Sequence, residues 1–300
     1  MKNTILRLSE LNLVSKSALV SKSSRALGAA LLSSSLIVGA GFTSSAIASD
    51  LTEQAGSGVR VGGGALIKPK YEGSDEYDVY GFPVIIPDFS SNSQFSFFKK
   101  YVEINGADDV RFKLLNQGGL SAGPLAGYTF GREEDDGDKL AGLGDVDEGL
   151  IVGGFIAYSF DVNSSKLTLS TSYHQQVTGD EDGYLLKFSA GVERPLNERL
   201  KIKAKVGTTY ADEEYFQTNF GVTAQQSLNS RANLAAFDTD AGFKDVFVSL
   251  GTDLQLSQSW KLFANVKYSR LLGDAEDSPV IETENQFTGL VGLTYKFDWR

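Results

Sequence analysis

Side chains along much of this chain alternate in character. From Leu200 to Tyr210, residues Leu200, Ile202, Ala204, Val206, Thr208 and Tyr210 share one parity, and Lys201, Lys203, Lys205, Gly207 and Thr209 share the other. A period of two places successive side chains on opposite faces of a β-strand. The same alternation sets Arg111 and Lys113 against Val110, Phe112 and Leu114. It sets Lys187 against Leu186 and Phe188, and Lys261 and Lys267 against Trp260, Leu262, Ala264, Val266 and Tyr268. In the last stretch Lys296 opposes Phe287, Gly289, Val291, Leu293, Tyr295 and Phe297. One face suits hydrocarbon and the other suits water.

Reading the whole chain this way predicts twelve strands, near 58–68, 78–87, 94–104, 109–115, 120–131, 149–161, 165–177, 183–194, 199–211, 242–256, 259–271 and 285–297. Most approach the ~9–11 residues that cross a bilayer at a tilt. Ten is the alternative count, because Pro83 and Pro87 fall in the second stretch and Pro124 in the fifth. Proline removes a ladder hydrogen bond.

The connectors sort into two kinds. Odd-to-even connectors are long or acidic, holding Glu72, Asp75 and Glu76; Asp108 and Asp109; Glu133, Glu134, Asp135, Asp136 and Asp138; Asp180, Glu181 and Asp182; Asp212, Glu213 and Glu214; and Asp274, Glu276 and Asp277. Even-to-odd connectors such as Asn116–Gly119, Asn163–Ser165 and Ser257–Ser259 are short and nearly uncharged. Long outer loops and short periplasmic turns belong to an all-β, antiparallel transmembrane β-barrel of the outer membrane. An even count puts both chain ends on the short-turn side. A water-soluble β-sandwich also alternates, but it requires neither this sorting of acids nor strands this long. No second long apolar run exists, which excludes a helical membrane protein.

The N-terminus adds a compartment. Lys2, Arg7, Lys16, Lys22 and Arg25 precede an apolar stretch from Ala26 to Phe42, which ends in Ala46-Ile47-Ala48. A basic region, a short apolar core and an A-x-A site make a secretory signal over residues 1–48, leaving 49–300 as the barrel domain. The whole chain is −10. Residues 1–48 carry five cations and one anion, so −14 remains on the rest. Such a chain is not built to bind nucleic-acid phosphates. It has no cysteine, one histidine and one methionine, which removes disulfide scaffolding and most soft-metal chemistry.

Pro69-Lys70-Tyr71-Glu72-Gly73-Ser74-Asp75 resembles the P-x-Y-x-G-S-D segment of the MipA/OmpV family. Gly123-Pro124, Gly131-Arg132, Leu140 to Asp145, Phe220 to Thr223 and Tyr268 to Asp274 continue the match through Ser278-Pro279. The resemblance implies an outer-membrane barrel without agreed catalytic residues or cofactors. In one branch, that of the MltA-interacting protein, it implies a scaffold for a lytic transglycosylase and a peptidoglycan synthase. Other members are known as surface antigens. Gly292, Tyr295 and Phe297 have the glycine–aromatic–aromatic spacing of an assembly signal, expected to end at Phe297 although Asp298, Trp299 and Arg300 follow.

By phase, Arg111, Lys113, Lys166, His174, Lys187, Lys201, Lys203, Lys205, Lys261, Lys267 and Lys296 line the lumen, with Glu193 and Asp253 as the clear inward acids. A basic lumen is expected either to pass small anions through a narrow pore or to be filled by an acidic loop. The Glu133 to Asp147 loop is the best candidate for its length. His174 lies near Ser172, Asp180 and Glu181, a grouping that could host a general base but more commonly marks a polar lumen. Glu133 to Asp138 miss the EF-hand pattern. Those acids are expected on a solvated surface, where divalent cations would bridge them to lipopolysaccharide phosphates. Gly62-Gly63-Gly64 has no following helix and is not a phosphate loop.

The mature protein is expected to begin at Ser49. N-terminal sequencing of outer-membrane material checks this, and recovery of Met1 would reject the cleavage site.

Overall fold

A computed structural model describes residues 58–88, 100–106, 108–179 and 183–298. Residues 1–57 (which include the expected signal segment), Asp180–Asp182, Trp299, Arg300 and most of the 94–104 strand candidate lie outside the described residues. Thirteen β-segments run in chain order: β1 Gly58–Pro69, β2 Tyr77–Asp88, β3 Val102–Gly106, β4 Asp109–Phe112, β5 Leu115–Gln117, β6 Leu120–Thr129, β7 Gly149–Val162, β8 Ser165–Gln176, β9 Tyr184–Pro195, β10 Leu200–Ala211, β11 Gly242–Gln255, β12 Trp260–Leu271 and β13 Asn285–Asp298.

They form one antiparallel sheet in the order β2-β1-β13-β12-β11-β10-β9-β8-β7-β6-β4-β3, with β5 also on β6. The first strand pairs with the last, from Gly58↔Asp298 to Ile67↔Gly289, as in a barrel, and the two ends of the order, β2 and β3, flank residues 89–99, which lie outside the described residues. The segments occupy twelve positions, because β4 and β5 divide one predicted strand between them. The division lies opposite Pro124. Between Arg111↔Leu125 and Leu115↔Ala122 the β4–β5 side holds one residue more than β6, a bulge. Pro124 has no N–H to give there. The Lys113 amide instead bonds Tyr101 O at 2.7 Å, and the Leu114 amide bonds Phe112 O at 2.9 Å.

Burial is inverted relative to a water-soluble protein. Val79 is 69% exposed, Leu250 63% and Val266 58%, while Arg111, Lys203 and Lys244 are 6%, 7% and 4% exposed. Lysine and arginine are almost never buried in a soluble domain unless paired. The outward face carries aromatic residues at both ends of the strands. At the short-turn end Trp260 packs on Tyr295 at 5.0 Å and Tyr295 on Phe297 at 4.7 Å. At the other end stand the pairs Tyr173–Tyr184, Tyr210–Phe243 and Tyr268–Phe287, at 5.5, 5.6 and 5.1 Å. Trp260 and Tyr268 lie on one strand, separated by about 27 Å at ~3.4 Å per residue. A strand tilted ~40° turns that into roughly 20 Å of membrane normal, comparable with the ~25 Å apolar band of such barrels.

The turns at the short end are built for tightness. Gly118 and Gly119 have φ of 60° and 83°, the left-handed pair that a two-residue hairpin turn requires.

Gly292 has a packing role of its own. It pairs with Phe263 across β12 and β13, and the Phe263 ring lies over it on the enclosed face. A Cβ at Gly292 would come within 2.1 Å of that ring. Gly292→Ala is therefore expected to destabilise the folded barrel by about 1–3 kcal/mol through overpacking. Phe263→Leu in the same chain should recover most of the loss, as read by urea unfolding in lipid or detergent. No recovery would mean that Gly292 is not set by this ring.

Candidate functional site

Every inward parity position that bears a charge must be neutralised inside the barrel, and the strands supply most of the acids. Arg111 forms a two-pronged pair with Asp109, Nε to Oδ1 and Nη2 to Oδ2 both at 2.8 Å, and reaches Ser170 Oγ at 3.0 Å. Its guanidinium stacks over Phe155 at 4.9 Å. Lys113 meets Glu103 at 3.1 Å. Lys203 meets Asp253 at 2.8 Å, and Lys261 approaches the same carboxylate at 3.7 Å. Lys201 sits opposite Asp253 in register, and Lys166 opposite Glu193. Lys187 pairs with Asp108, whose carboxyl this lysine holds below the usual carboxylate range. Lys267 lies over the Phe247 ring at 4.9 Å, and Lys296 pairs with Asp298 at 3.0 Å near the short-turn end.

One inward cation breaks the alternation. Lys244 shares parity with the outward Val246, yet it is buried beside Asp245 at 2.9 Å. The register shifts here, from Thr209↔Asp245 to Tyr210↔Phe243, so Lys244 is the extra residue of a bulge. The bulge turns a side chain that strict alternation would send to lipid into the barrel. There Lys244 also pairs with Glu72 of the first outer loop and lies 5.8 Å from the Tyr215 ring.

Four outer loops close the far mouth. The loop between β10 and β11 folds into α1 Glu213–Phe220 and α2 Ala224–Asn229, and the loop after β12 contains α3 Asp274–Asp277. Asp212 caps α1 by accepting from Tyr215 N at 3.1 Å, and Thr223 and Gln226 form a capping box on α2. Phe216 and Phe220 of α1 are 1% and 0% exposed. They pack with Tyr71, Leu140, Leu143, Leu271, Val280 and Ile281 in one apolar core. Polar ties lock it: Tyr71 Oη to Val280 O at 3.1 Å, Arg132 Nη1 to Asn219 O at 2.9 Å, and Gln226 Nε2 to Leu143 O at 2.8 Å. Burial, reinforced by the nearby Glu282 carboxylate, keeps the Tyr71 hydroxyl protonated above its usual range.

Beneath this cap and a small inner apolar layer of Leu125, Ile151, Phe155 and Ala157 lies a cavity of about 270 Å³. It runs from Asn116 and Gly119 at the short turns to Arg111, Ser170 and Lys205 at its inner end.

The chain matches the family model described as MltA-interacting protein MipA over residues 61–297. The chain belongs to this family. YiaT of Escherichia coli (strain K12), an outer-membrane protein by name, is 25% identical over 130 residues, 43% of this chain and 51% of YiaT. The MltA-interacting protein of the same organism is 24% identical over 110 residues, 36% of this chain and 42% of that protein. The match thus spans about half the length of these relatives. Among solved structures, the outer membrane channel DcaP of Acinetobacter baumannii superposes loosely, with TM-score 0.38 and 11% identity over 86% of this chain and 100% of that one.

This MipA-family barrel is an outer-membrane protein, and its two ends are thereby oriented. The capped mouth faces outward and the cavity faces the periplasm. The acidic loop expected to pair with the lysine rows does something else. Glu134 accepts from the Gly142 amide at 3.0 Å, Asp145 accepts from the Glu134 amide at 2.8 Å, and the loop contributes Leu140 and Leu143 to the cap. The connector acids that reach inward lysines are Glu72, on Lys244, and Asp108, on Lys187. Sequence reasoning missed the cap helices, although the Asp212-Glu213-Glu214 start and the Thr223-x-x-Gln226 box were their signals. It also counted Asp109 among the connector acids as well as at the start of the 109–115 strand, and the structure makes it a buried residue of β4. His174 Nε2 contacts Ser172 Oγ at 2.9 Å, but both residues are 2% exposed and neither lines the cavity. His174 Nδ1, where an orienting acid would bond in a nucleophilic triad, has no hydrogen-bond partner among the described residues.

Lys244→Met removes the paired cation from buried Asp245 and leaves only the unbonded charge of Lys267 nearby, and breaking such a pair costs about 3–5 kcal/mol. Lys244→Met with Asp245→Asn is expected to regain most of this in urea unfolding. If Lys244→Met alone were neutral, the bulge would not be aiming the lysine at Asp245.

Proposed function

We propose that the protein is a closed outer-membrane barrel that serves as a structural anchor, docking a lytic transglycosylase and a peptidoglycan synthase at its periplasmic end. The observation that carries this reading is the apolar cap. Four loops packed around Phe216 and Phe220 obstruct the outer mouth, and an obstructed barrel is poorly suited to solute passage. The name of the MltA-interacting relative supports the choice of partner, and no catalytic role is proposed. The fully described periplasmic turns are short, against ~800 Å² per side for a standard interface. Residues 49–57, which join β1 at that end, therefore belong to the docking surface in this reading. On the outer side, the loop acids are proposed to meet lipopolysaccharide phosphates through divalent cations.

The alternative, a narrow anion-preferring pore, draws its support from the inward lysines. One pair of measurements separates the two. In planar bilayers the wild type is expected to be silent, whereas Phe216→Ala with Phe220→Ala, each removing about 3–5 kcal/mol of cap packing, should admit anions. Pull-downs from envelopes should recover one of the two enzymes, and continue to do so after deletion of residues 133–138. Steady anion current from the wild type with neither enzyme recovered would replace the anchor by the pore.

A further inference from the structure

We propose that the periplasm-facing cavity is a binding site for a small soluble oxyanion, a carboxylate or phosphate compound. Its lining holds six cations and two acids. Of the nearby acids, Glu103 is committed to Lys113, Asp109 to Arg111 and Asp253 to Lys203, while Glu193 sits opposite Lys166 in register. Lys205 stands at the inner end beside Arg111, with no hydrogen bond or ion pair among the described residues. A buried ammonium held near other cations is repelled unless a counter-charge arrives. The strands leave that charge to be supplied from outside.

The rest of the lining fits an anion. Thr168, Ser170 and Ser189 present hydroxyl donors around Lys205. The excess positive charge excludes metal cations. About 270 Å³ holds some nine waters at ~30 Å³ each, the scale of a small tricarboxylate or phosphate monoester. The site is blind, since Arg111 stacks on Phe155 at its inner end and the loop cap lies beyond. Access is therefore past Asn116 and Gly119 at the short turns. The cavity is lined by inward-facing side chains of the strands, on the face opposite the lipid, which favours a soluble ligand over a headgroup.

The test is calorimetric titration of the folded, detergent-solubilised barrel with citrate and with inorganic phosphate, against sodium chloride at matched ionic strength. Saturable binding of one or both is expected. Loss of a charge-assisted hydrogen bond in Lys205→Gln should weaken it about tenfold, while Lys205→Arg should retain it. Heat-modifiable migration on gels verifies that each variant is folded. Non-saturable heats, equal heats from chloride, or unchanged binding in folded Lys205→Gln would overturn the proposal. A second titration in nanodiscs of phosphatidylethanolamine and phosphatidylglycerol should give the same citrate affinity. Its abolition there would overturn the soluble-ligand assignment in favour of a headgroup. Current through the wild type would break the closed-barrel reading and leave this titration standing.

Discussion

Hydrocarbon offers no hydrogen-bond partner to a backbone amide and no solvation to a charge. Most of this fold follows from that. The pairing of β1 with β13 satisfies the outer edges of the first and last strands along ten residue pairs. Alternation then sorts the side chains. A lysine or arginine facing lipid near the midplane costs ~2–4 kcal/mol, so the charged parity turns inward and Val, Leu and Ile are left exposed. Where alternation would send Lys244 outward, the chain inserts a residue and bulges.

Turning cations inward moves the problem without removing it. A confined row of like charges must be matched, and the pairs form at the shortest geometric repeats that a sheet offers. Asp109 and Arg111 are two apart on one strand and share a face. Lys203 and Asp253 sit on adjacent strands. Buried pairs of this kind add little net stability, because desolvation offsets attraction, but each is expensive to break. They therefore fix register and face more than they raise stability. The outer mouth is closed by a different physics. There the loops bury Phe216, Phe220, Leu140 and Val280 against one another, as in a small soluble core. The barrel is polar inside its wall and apolar under its lid.

That division explains what the sequence revealed and what it hid. Strand positions, faces and the sorting of loops from turns were legible because each depends on a local period or a local composition. Arg111, Lys203 and Lys261 could be placed by counting alone. Counting fails where one residue is added. The bulge at Lys244 and the split between β4 and β5 opposite Pro124 each shift the phase by one, and neither leaves a local signature stronger than a single proline. The partners were hidden for another reason. Glu103 meets its cation only across strands, while Asp109 and Asp245 pair with Arg111 and Lys244 of their own strands, one beside a connector and one at a bulge. A loop acid such as Glu134 looks equally available and instead bonds the amide of Gly142. Net loop charge therefore pointed to salt bridges between loop and lumen, where the outer loops pack instead through phenylalanines and leucines.

The asymmetry between the two ends has a consequence for what such a barrel does. Apart from the two-residue connector between β3 and β4, the outer loops run from seven to thirty residues, enough chain to build a lid with helices and its own core, and they have built one. The periplasmic turns have not. Gly118 and Gly119 reverse the chain in the least length available, and Asn163, at φ 53°, does the same between β7 and β8. At the outer end the loops pack together, whereas none of these described turns is long enough to reach across a barrel of twelve strand positions, and the cavity lies on their side. A solute entering there leaves by the same route, and its occupancy follows periplasmic concentration rather than a gradient across the membrane. Any protein docked over the short turns would also cover the opening. Partner and ligand would then compete for, or be coupled through, one small surface, with the lysine-lined cavity directly behind it.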